Sequence, residues 1–206
     1  WVWPELTSQA AQAKKLKAEK DDKVKATVVE HNHYRFWDHW FPRGRKPHIH
    51  VVDTRTGTFQ DLFAGTAFHL SPQEPDAQLF DISPDGNELA FTFDYNPDPK
   101  DFSFTDIVAM DLKTRKTRRL TTRSEALSRH AFEGPRYSGD GKWLALLGND
   151  YSLQHNEQSR AWLFDIKSKK LSAWSGSWDR AVQGPLQWAN THDAVYFTAE
   201  DGIVQP

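Results

Sequence analysis

The sequence predicts an all-β fold built from repeated four-stranded antiparallel units, and three observations predict it. A turn feeding a strand recurs at a fixed offset, a second hairpin recurs out of phase with it, and the composition favours strands. Ser83-Pro84-Asp85-Gly86 is the clearest copy of the first feature. Proline at the second turn position presets φ near about −65°, serine suits the first and glycine closes the fourth, which is type I turn chemistry. Leu89, Phe91 and Phe93 then alternate with smaller or polar residues, the period of a strand with one buried face. Tyr137 to Leu146 lies over Ile82 to Phe91 at an offset of 55 residues. A degraded third copy runs from Trp188 to Phe197, with the turn replaced and the strand alternation kept.

The second feature is a strand ending in aspartate. Val52-Asp53, Met110-Asp111 and Phe164-Asp165 each close an apolar run, a polar turn follows, and a further strand reaches Leu62, Leu120 or Trp174. Each of those residues lies nine positions after its aspartate. Combined, the unit is four strands in roughly 50–58 residues, the arrangement of a β-propeller blade. A sandwich has no reason to repeat one hairpin in one register. Nine Trp and thirteen Phe against one Met also favour strands over a helical bundle.

About three blades are counted where propellers close with about four to eight, so the expectation is a partial β-propeller with a short N-terminal helical arm, a piece of a longer protein. The arm is placed at 1–23 and the incomplete propeller at 24–206, with blade-like repeats around 24–63, 79–121 and 135–175 and an unfinished one at 185–206.

Taken in order, Trp1 to Pro4 is an aromatic stub. Glu5 to Lys20 is rich in Ala, Lys, Gln and Glu, good helix formers, with Thr7 or Ser8 as cap. With Leu6 and Leu16 as its only large apolar residues, it reads as a solvated helix or a mobile arm. Val24 to Val29 alternates as a strand, and Glu30 to Trp40 is the densest aromatic stretch. Pro42 to Pro47 is a basic turn. His48 to Asp53 and Thr58 to Phe63 are strands around the turn Thr54–Gly57. The loops Asp94 to Phe104 and Asn149 to Ser159 account for the extra length of two repeats.

The formal charge of −2 gives no electrostatic reason to expect nucleic acid or an acidic membrane as partner. Cysteine is absent, which removes disulfides, thiolate zinc sites and a cysteine nucleophile. It fits a periplasmic, secreted or cytoplasmic setting alike. No apolar run approaches the roughly 18 residues needed to span a bilayer. No signal peptide is evident, and the start at Trp1 reads as a processed or truncated N-terminus.

No nucleophile elbow, phosphate-binding or dinucleotide-binding glycine loop, or H-E-x-x-H motif is present. No catalytic residue and no cofactor are therefore assigned. His31 and His33, and His48 and His50, lie on strand faces if both segments are extended. Two such strands facing one another would offer imidazoles to zinc; otherwise the histidines decorate exposed strands. In Ser138-Gly139-Asp140-Gly141-Lys142-Trp143 the glycine adjoins the aspartate, which is the wrong spacing for the Asp-box turn of propeller glycosidases.

One segment reads as a binding surface. Arg35, Trp37 and Asp38 place aromatic and charged groups together, a composition common in recognition sites, and they are the candidate substrate-binding residues. The competing reading has Trp37 and Trp40 packed inside the first blade, with Arg35 and Asp38 paired locally. Arg118, Arg119, Arg123, Arg129 and Arg136 read as scattered surface charge.

Ser83 to Gly86 with its alternating strand resembles the TolB-type propeller repeat. Three further stretches narrow the resemblance: Tyr34 to Asp38 with His48 to Asp53; Trp178-Asp179-Arg180-Ala181-Val182-Gln183; and Val195 to Gly202. In this order they resemble the N-terminal propeller of prolyl-oligopeptidase-type serine peptidases, in the dipeptidyl-peptidase and acylaminoacyl-peptidase-like branch. The resemblance implies a propeller over a C-terminal α/β-hydrolase domain holding a Ser-Asp-His triad, where the propeller restricts entry to short peptides and contacts the substrate. No triad residue carries over to this chain, and the adjacent glutamate pair of some dipeptidyl peptidases is absent. The expectation is a substrate-gating propeller that is inactive alone, partnered with peptide through the hydrolase domain. The alternative is a TolB-like propeller serving as a non-catalytic binding or scaffold module.

Overall fold

The computed structural model describes all residues except 25, 27, 29–34, 42–43, 96–103, 122–126, 128, 152–157 and 200–206. The chain divides into two compact units, one spanning Trp1–Pro75 and the other running from Asp76 onwards. One α-helix accompanies fourteen strands among the described residues.

In the first unit, helix α1 (Gln9–Asp21) starts at Ser8, whose hydroxyl accepts the Ala11 N–H at 3.2 Å. That is the expected cap, and it satisfies one of the helix's orphan donors. No residue of α1 is buried, which agrees with the solvated-helix reading. The stub before it is more than a tail: Trp3 is buried. Gln12 clasps the Trp3 backbone from both sides, accepting its N–H at 3.0 Å and donating to its carbonyl at 2.8 Å. The Lys15 ammonium and the Arg45 guanidinium lie over its ring at 4.8 and 5.2 Å. A two-residue hairpin follows, β1 (Arg35–Phe36) with β2 (His39–Trp40), and then β3 (His50–Val52) pairs with β4 (Phe59–Asp61). Of the strand expected over 24–29, residues 25, 27 and 29 lie outside the described residues and 24, 26 and 28 are in no strand, while the strand expected from His48 begins at His50.

The second unit holds two complete four-stranded antiparallel meanders. The first is β5 (Phe80–Ile82), β6 (Glu88–Asp94), β7 (Thr105–Asp111) and β8 (Thr117–Arg119), in that spatial order. The second is β9 (His130–Tyr137), β10 (Trp143–Asp150), β11 (Arg160–Asp165) and β12 (Leu171–Ala173). A third begins with β13 (Val182–Trp188) and β14 (Val195–Ala199). These are propeller blades, so the fold is all-β, a partial β-propeller. Its core lies between the first two sheets, where Ala90, Ile107, Ala109, Leu120, Phe132, Leu144, Leu146 and Phe164 pack together. Strand alternation puts these side chains on facing surfaces, and their burial drives the association.

Both repeats are visible as hydrogen bonds. In the first turn the Gly86 N–H donates to the Ser83 carbonyl at 2.8 Å, and in the second Gly141 donates to Ser138 at 2.9 Å. The serine hydroxyl then donates to the turn aspartate, at 2.6 Å in one copy and 2.7 Å in the other. In the degraded copy the His192 N–H donates to the Ala189 carbonyl at 2.9 Å. His192 has φ 63° where the others have glycine at 71° and 70°.

The turn carboxylates are held in their charged form. Hydrogen bonds from the Ser83 hydroxyl and Asn87 lower the Asp85 pKa to about 2. A depressed folded pKa gives stability that is present above the unfolded value of about 3.9 and lost as pH falls through the folded one. Asp85→Asn therefore flattens the loss of stability between pH 4 and pH 2, checked by urea unfolding at both ends of that window.

The second repeat is an aspartate-capped hairpin in all three copies. Asp53 Oδ1 accepts the N–H groups of Arg55 and Thr56 at 2.8 and 3.0 Å. Asp111 takes those of Lys113 and Thr114 at 3.0 and 2.6 Å, and Asp165 those of Lys167 and Ser168 at 2.8 and 2.9 Å. The fourth residue after each aspartate is left-handed: Gly57 at φ 72°, Arg115 at 61° and Lys169 at 58°. Only the first copy supplies the residue that takes this conformation without cost. Lys169→Gly is expected to raise stability by up to about 1 kcal/mol, measured as a shift in the denaturant midpoint.

Arg118, Arg119, Arg129 and Arg136 are not scattered surface charge; Arg123 lies outside the described residues. Arg118 forms a two-pronged ion pair with Glu88, and Arg119 binds the buried Asp106. Arg129 Nε donates to the Tyr151 carbonyl at 3.0 Å, and Arg136 donates to the carbonyls of Gln78 and Phe80, both at 3.1 Å. Arginine is suited to this because its planar fork satisfies several acceptors at once.

Candidate functional site

Register places the candidate residues at one tip. Arg35 faces Trp40 and Phe36 faces His39 across the β1–β2 hairpin, which leaves Trp37 and Asp38 as its two-residue loop. Such loops favour positive φ at their first central position and usually place glycine or asparagine there. Here Trp37 takes it, with φ 50°. A left-handed non-glycine residue costs about 1–2 kcal/mol, and the ring gains no burial in return. Trp37 is 81% exposed and Trp40 66%.

The packing alternative for these two indoles is therefore not what the fold adopts. Trp37 makes an edge contact with Phe36 at 6.2 Å. Asp38 lies 3.4 Å from His39 Nδ1, and both side chains are largely exposed. The tip thus presents two indoles beside a carboxylate and an imidazole, with Arg35 exposed at the base of the hairpin. That surface can cover apolar side chains and form ion pairs. It holds no serine, threonine, cysteine or lysine among residues 35–40.

Of the described histidines, His50 is exposed on β3, as in the reading of histidines on exposed strands, while His48 is not. His31 and His33 lie outside the described residues. His48 is buried and Asp61 grips its Nδ1, at 2.9 and 3.1 Å through the two carboxylate oxygens, while His50 Nε2 lies 3.9 Å from the same carboxylate. Burial pushes the Asp61 pKa up, but the His48 hydrogen bond and the Phe63 N–H outweigh it, so the carboxyl sits below its ordinary range. The His48 ring also makes an edge contact with Phe63 at 5.7 Å. Among the described residues no group of three or more His, Asp or Glu is arranged to hold a metal ion.

A second concave surface escaped the sequence reading. Arg136, Tyr137, Pro185, Leu186, Gln187 and Trp188 line an open groove of about 270 Å³ between β9 and β13. Trp188 Nε1 donates to the Arg136 carbonyl at 2.9 Å, fixing the indole as one wall. Burial lowers the Arg136 pKa, with Asp81 and Asp76 opposing. Its guanidinium is already committed to backbone carbonyls, so the groove offers shape more than charge. The only hint in the sequence was the Gly-Pro pair on each strand, Gly134-Pro135 and Gly184-Pro185.

No family model matches the chain, and no curated protein matches it. Among solved structures it is similar to TolB from Acinetobacter baumannii, with a TM-score of 0.47 and 19% identity over 79% of this chain and 40% of that one. The tricorn protease is similar with a TM-score of 0.41 and 18% identity, over 59% of this chain and 12% of that one. Pyrococcus horikoshii acylaminoacyl peptidase is similar with a TM-score of 0.37 and 16% identity, over 59% of this chain and 19% of that one. The chain thus spans at most 40% of the length of any of the three.

Proposed function

We propose that this chain is the propeller part of a serine peptidase that cleaves short peptides, and that it selects and holds substrate through the Arg35–Trp40 hairpin. The observation that carries the site is Trp37, held left-handed and exposed when burial would have repaid its strain. Backbone strain that packing does not explain clusters at functional positions. The ordered set of sequence motifs supports the peptidase reading, and of these, residues 83–86 form the turn between β5 and β6 and residues 195–199 lie on β14. In this reading the acyl-enzyme chemistry belongs to an α/β-hydrolase domain outside these residues. The propeller contributes exclusion and binding.

The test uses the chain of 206 residues. Short peptides with an apolar residue are titrated while tryptophan fluorescence is followed, and aminoacyl and dipeptidyl chromogenic substrates are assayed in parallel. Saturable peptide binding without hydrolysis is the expected result. Binding of folded proteins but not short peptides overturns the peptidase reading in favour of a scaffold module, and hydrolysis by this chain alone overturns the division of labour. Trp37→Gly separates function from stability. It is expected to stabilise the fold by about 1 kcal/mol through relief of the left-handed strain while weakening peptide binding at least tenfold, a loss of about 1.4 kcal/mol.

A further inference from the structure

We propose that the end of the Asp76-onward unit carrying its hairpin turns is a docking surface for an anionic phospholipid bilayer. A net charge of −2 averages over the whole chain what the topology separates. The turns after β5, β7, β9, β11 and β13 all lie at one end of their sheets, because Glu88 pairs with Asp111 and Trp143 with Asp165. Turns within a sheet are bonded: the Leu112 N–H donates to the Asn87 carbonyl at 2.8 Å and Ile166 to that of Lys142 at 3.0 Å. Turns of successive sheets touch. A Cβ on Gly141 would lie 3.9 Å from Pro84 Cδ, and Gly139 lies directly under the His192 ring.

The turns therefore make one continuous surface, and its charges are unequal in reach. The carboxylates of Asp111 and Asp165 are turned back onto the amides of their own loops, Asp140 pairs with Lys142 at 2.9 Å, and Asp85 and Asp193 accept hydroxyl groups from their turns. Lys113, Lys116, Lys167, Lys169 and Lys170 are exposed and make no ion pair among the described residues. Each complete sheet thus contributes exposed lysines at this end, two at the β7–β8 turn and three at the β11–β12 turn.

Three features favour a bilayer over other polyanions. Six of the seven cations in these turns are lysines, compact charges on flexible stems that suit a diffuse anionic surface, and the one arginine, Arg115, turns back to the Met110 sulfur at 3.7 Å; a nucleic acid or phosphopeptide reader favours the planar arginine fork. No Phe, Tyr or Trp lies in these turns to stack on a base, and the His192 ring is already packed over Gly139. The cations also sit on the tips of adjacent hairpins at one end of the unit, which suits a broad flat partner. Each lysine near an anionic leaflet adds to the attraction, and the neighbouring carboxylates reduce the total. This inference does not depend on the peptidase reading.

The experiment is vesicle co-sedimentation of the full chain. It is expected to bind phosphatidylserine-containing vesicles, to ignore phosphatidylcholine vesicles, and to be released as NaCl rises from about 0.1 to about 0.5 M, where screening shortens from about 10 Å to a few ångströms. Replacing the five lysines by glutamine is expected to lower partitioning at least tenfold. Two half-variants, K113Q/K116Q and K167Q/K169Q/K170Q, are each expected to show part of that loss, and thermal melts confirm that all three variants fold. Equal binding to neutral vesicles, unchanged partitioning of the folded variants, or tighter binding to duplex DNA or polyglutamate than to vesicles overturns the proposal.

Discussion

Phe132→Ala is expected to destabilise the second unit by about 3–5 kcal/mol, the range for deleting a fully buried aromatic ring from a close-packed core. Phe132 is among the largest fully buried side chains. Its ring stacks with His130 at 5.9 Å and meets Trp162 edge-on at 5.3 Å, while His130 meets Trp162 at 5.5 Å. The Phe132 and Trp162 rings close over Gly148, where an added Cβ would fall 2.5 Å from Trp162 Nε1 and 2.9 Å from Phe132 Cε1. Glycine is required there by the rings above it.

The same geometry gives a coupled prediction. Gly148→Ala alone is expected to cost about 1–3 kcal/mol through overpacking. In the Phe132→Ala background it costs less, because one of the two rings it strikes is gone. Residues in contact typically couple by about 0.5–3 kcal/mol. Denaturant unfolding of the four proteins of that cycle measures the coupling. Strict additivity would show that the rings do not share one cavity.

The sequence was most legible where one residue type has one local use. Aspartate followed by a polar turn was readable because its carboxylate caps amides two and three residues on, and all three copies do so. The nine-residue register was readable for the same reason: a fixed turn fixes the pairing. Leu62 and Leu120 are buried at the register position, while Trp174 is half exposed. The repeat thus sets the hydrogen bonds without setting what covers the side chain.

Arginine was the least legible residue. Arg118, Arg119 and Arg136 lie on strands where alternation gives a side, but their partners come from distant positions. Glu88 is 30 residues from Arg118, and Gln78 is 58 from Arg136. Tyr137 adds to this network, donating its hydroxyl to Glu88 at 2.6 Å and its N–H to Asp81 at 2.8 Å, and so ties the second blade to the first. Such pairings depend on how sheets pack, which a local pattern does not encode. The candidate hairpin was half legible. Composition marked Arg35, Trp37 and Asp38, but the same aromatic density equally described a buried cluster, and only the two-residue loop register turns Trp37 outward.

Arg119→Met is expected to cost about 3–5 kcal/mol, because it removes the paired cation from a buried carboxylate. Asp106 is fully buried on β7. Arg119, at the end of the adjacent β8, pairs with its Oδ2, and the Thr121 hydroxyl donates to Oδ1 at 2.9 Å. The same hydroxyl accepts the Ile107 N–H at 2.9 Å, which holds the network in register with the β7–β8 edge. The Arg119 guanidinium also lies 4.6 Å over the Tyr95 ring, so its stem and charge are both used. Removing the cation leaves Thr121 as the one bond among these that still answers the charge. The comparison that decides the cause is the double variant Asp106→Leu with Arg119→Met. A buried ion pair replaced by apolar residues of similar size is often neutral or stabilising, so the double variant is expected to recover most of the loss. Full loss persisting in the double variant would instead mean that Arg119 acts by packing on Tyr95. Urea unfolding of the single and double variants, followed by fluorescence, distinguishes the two outcomes.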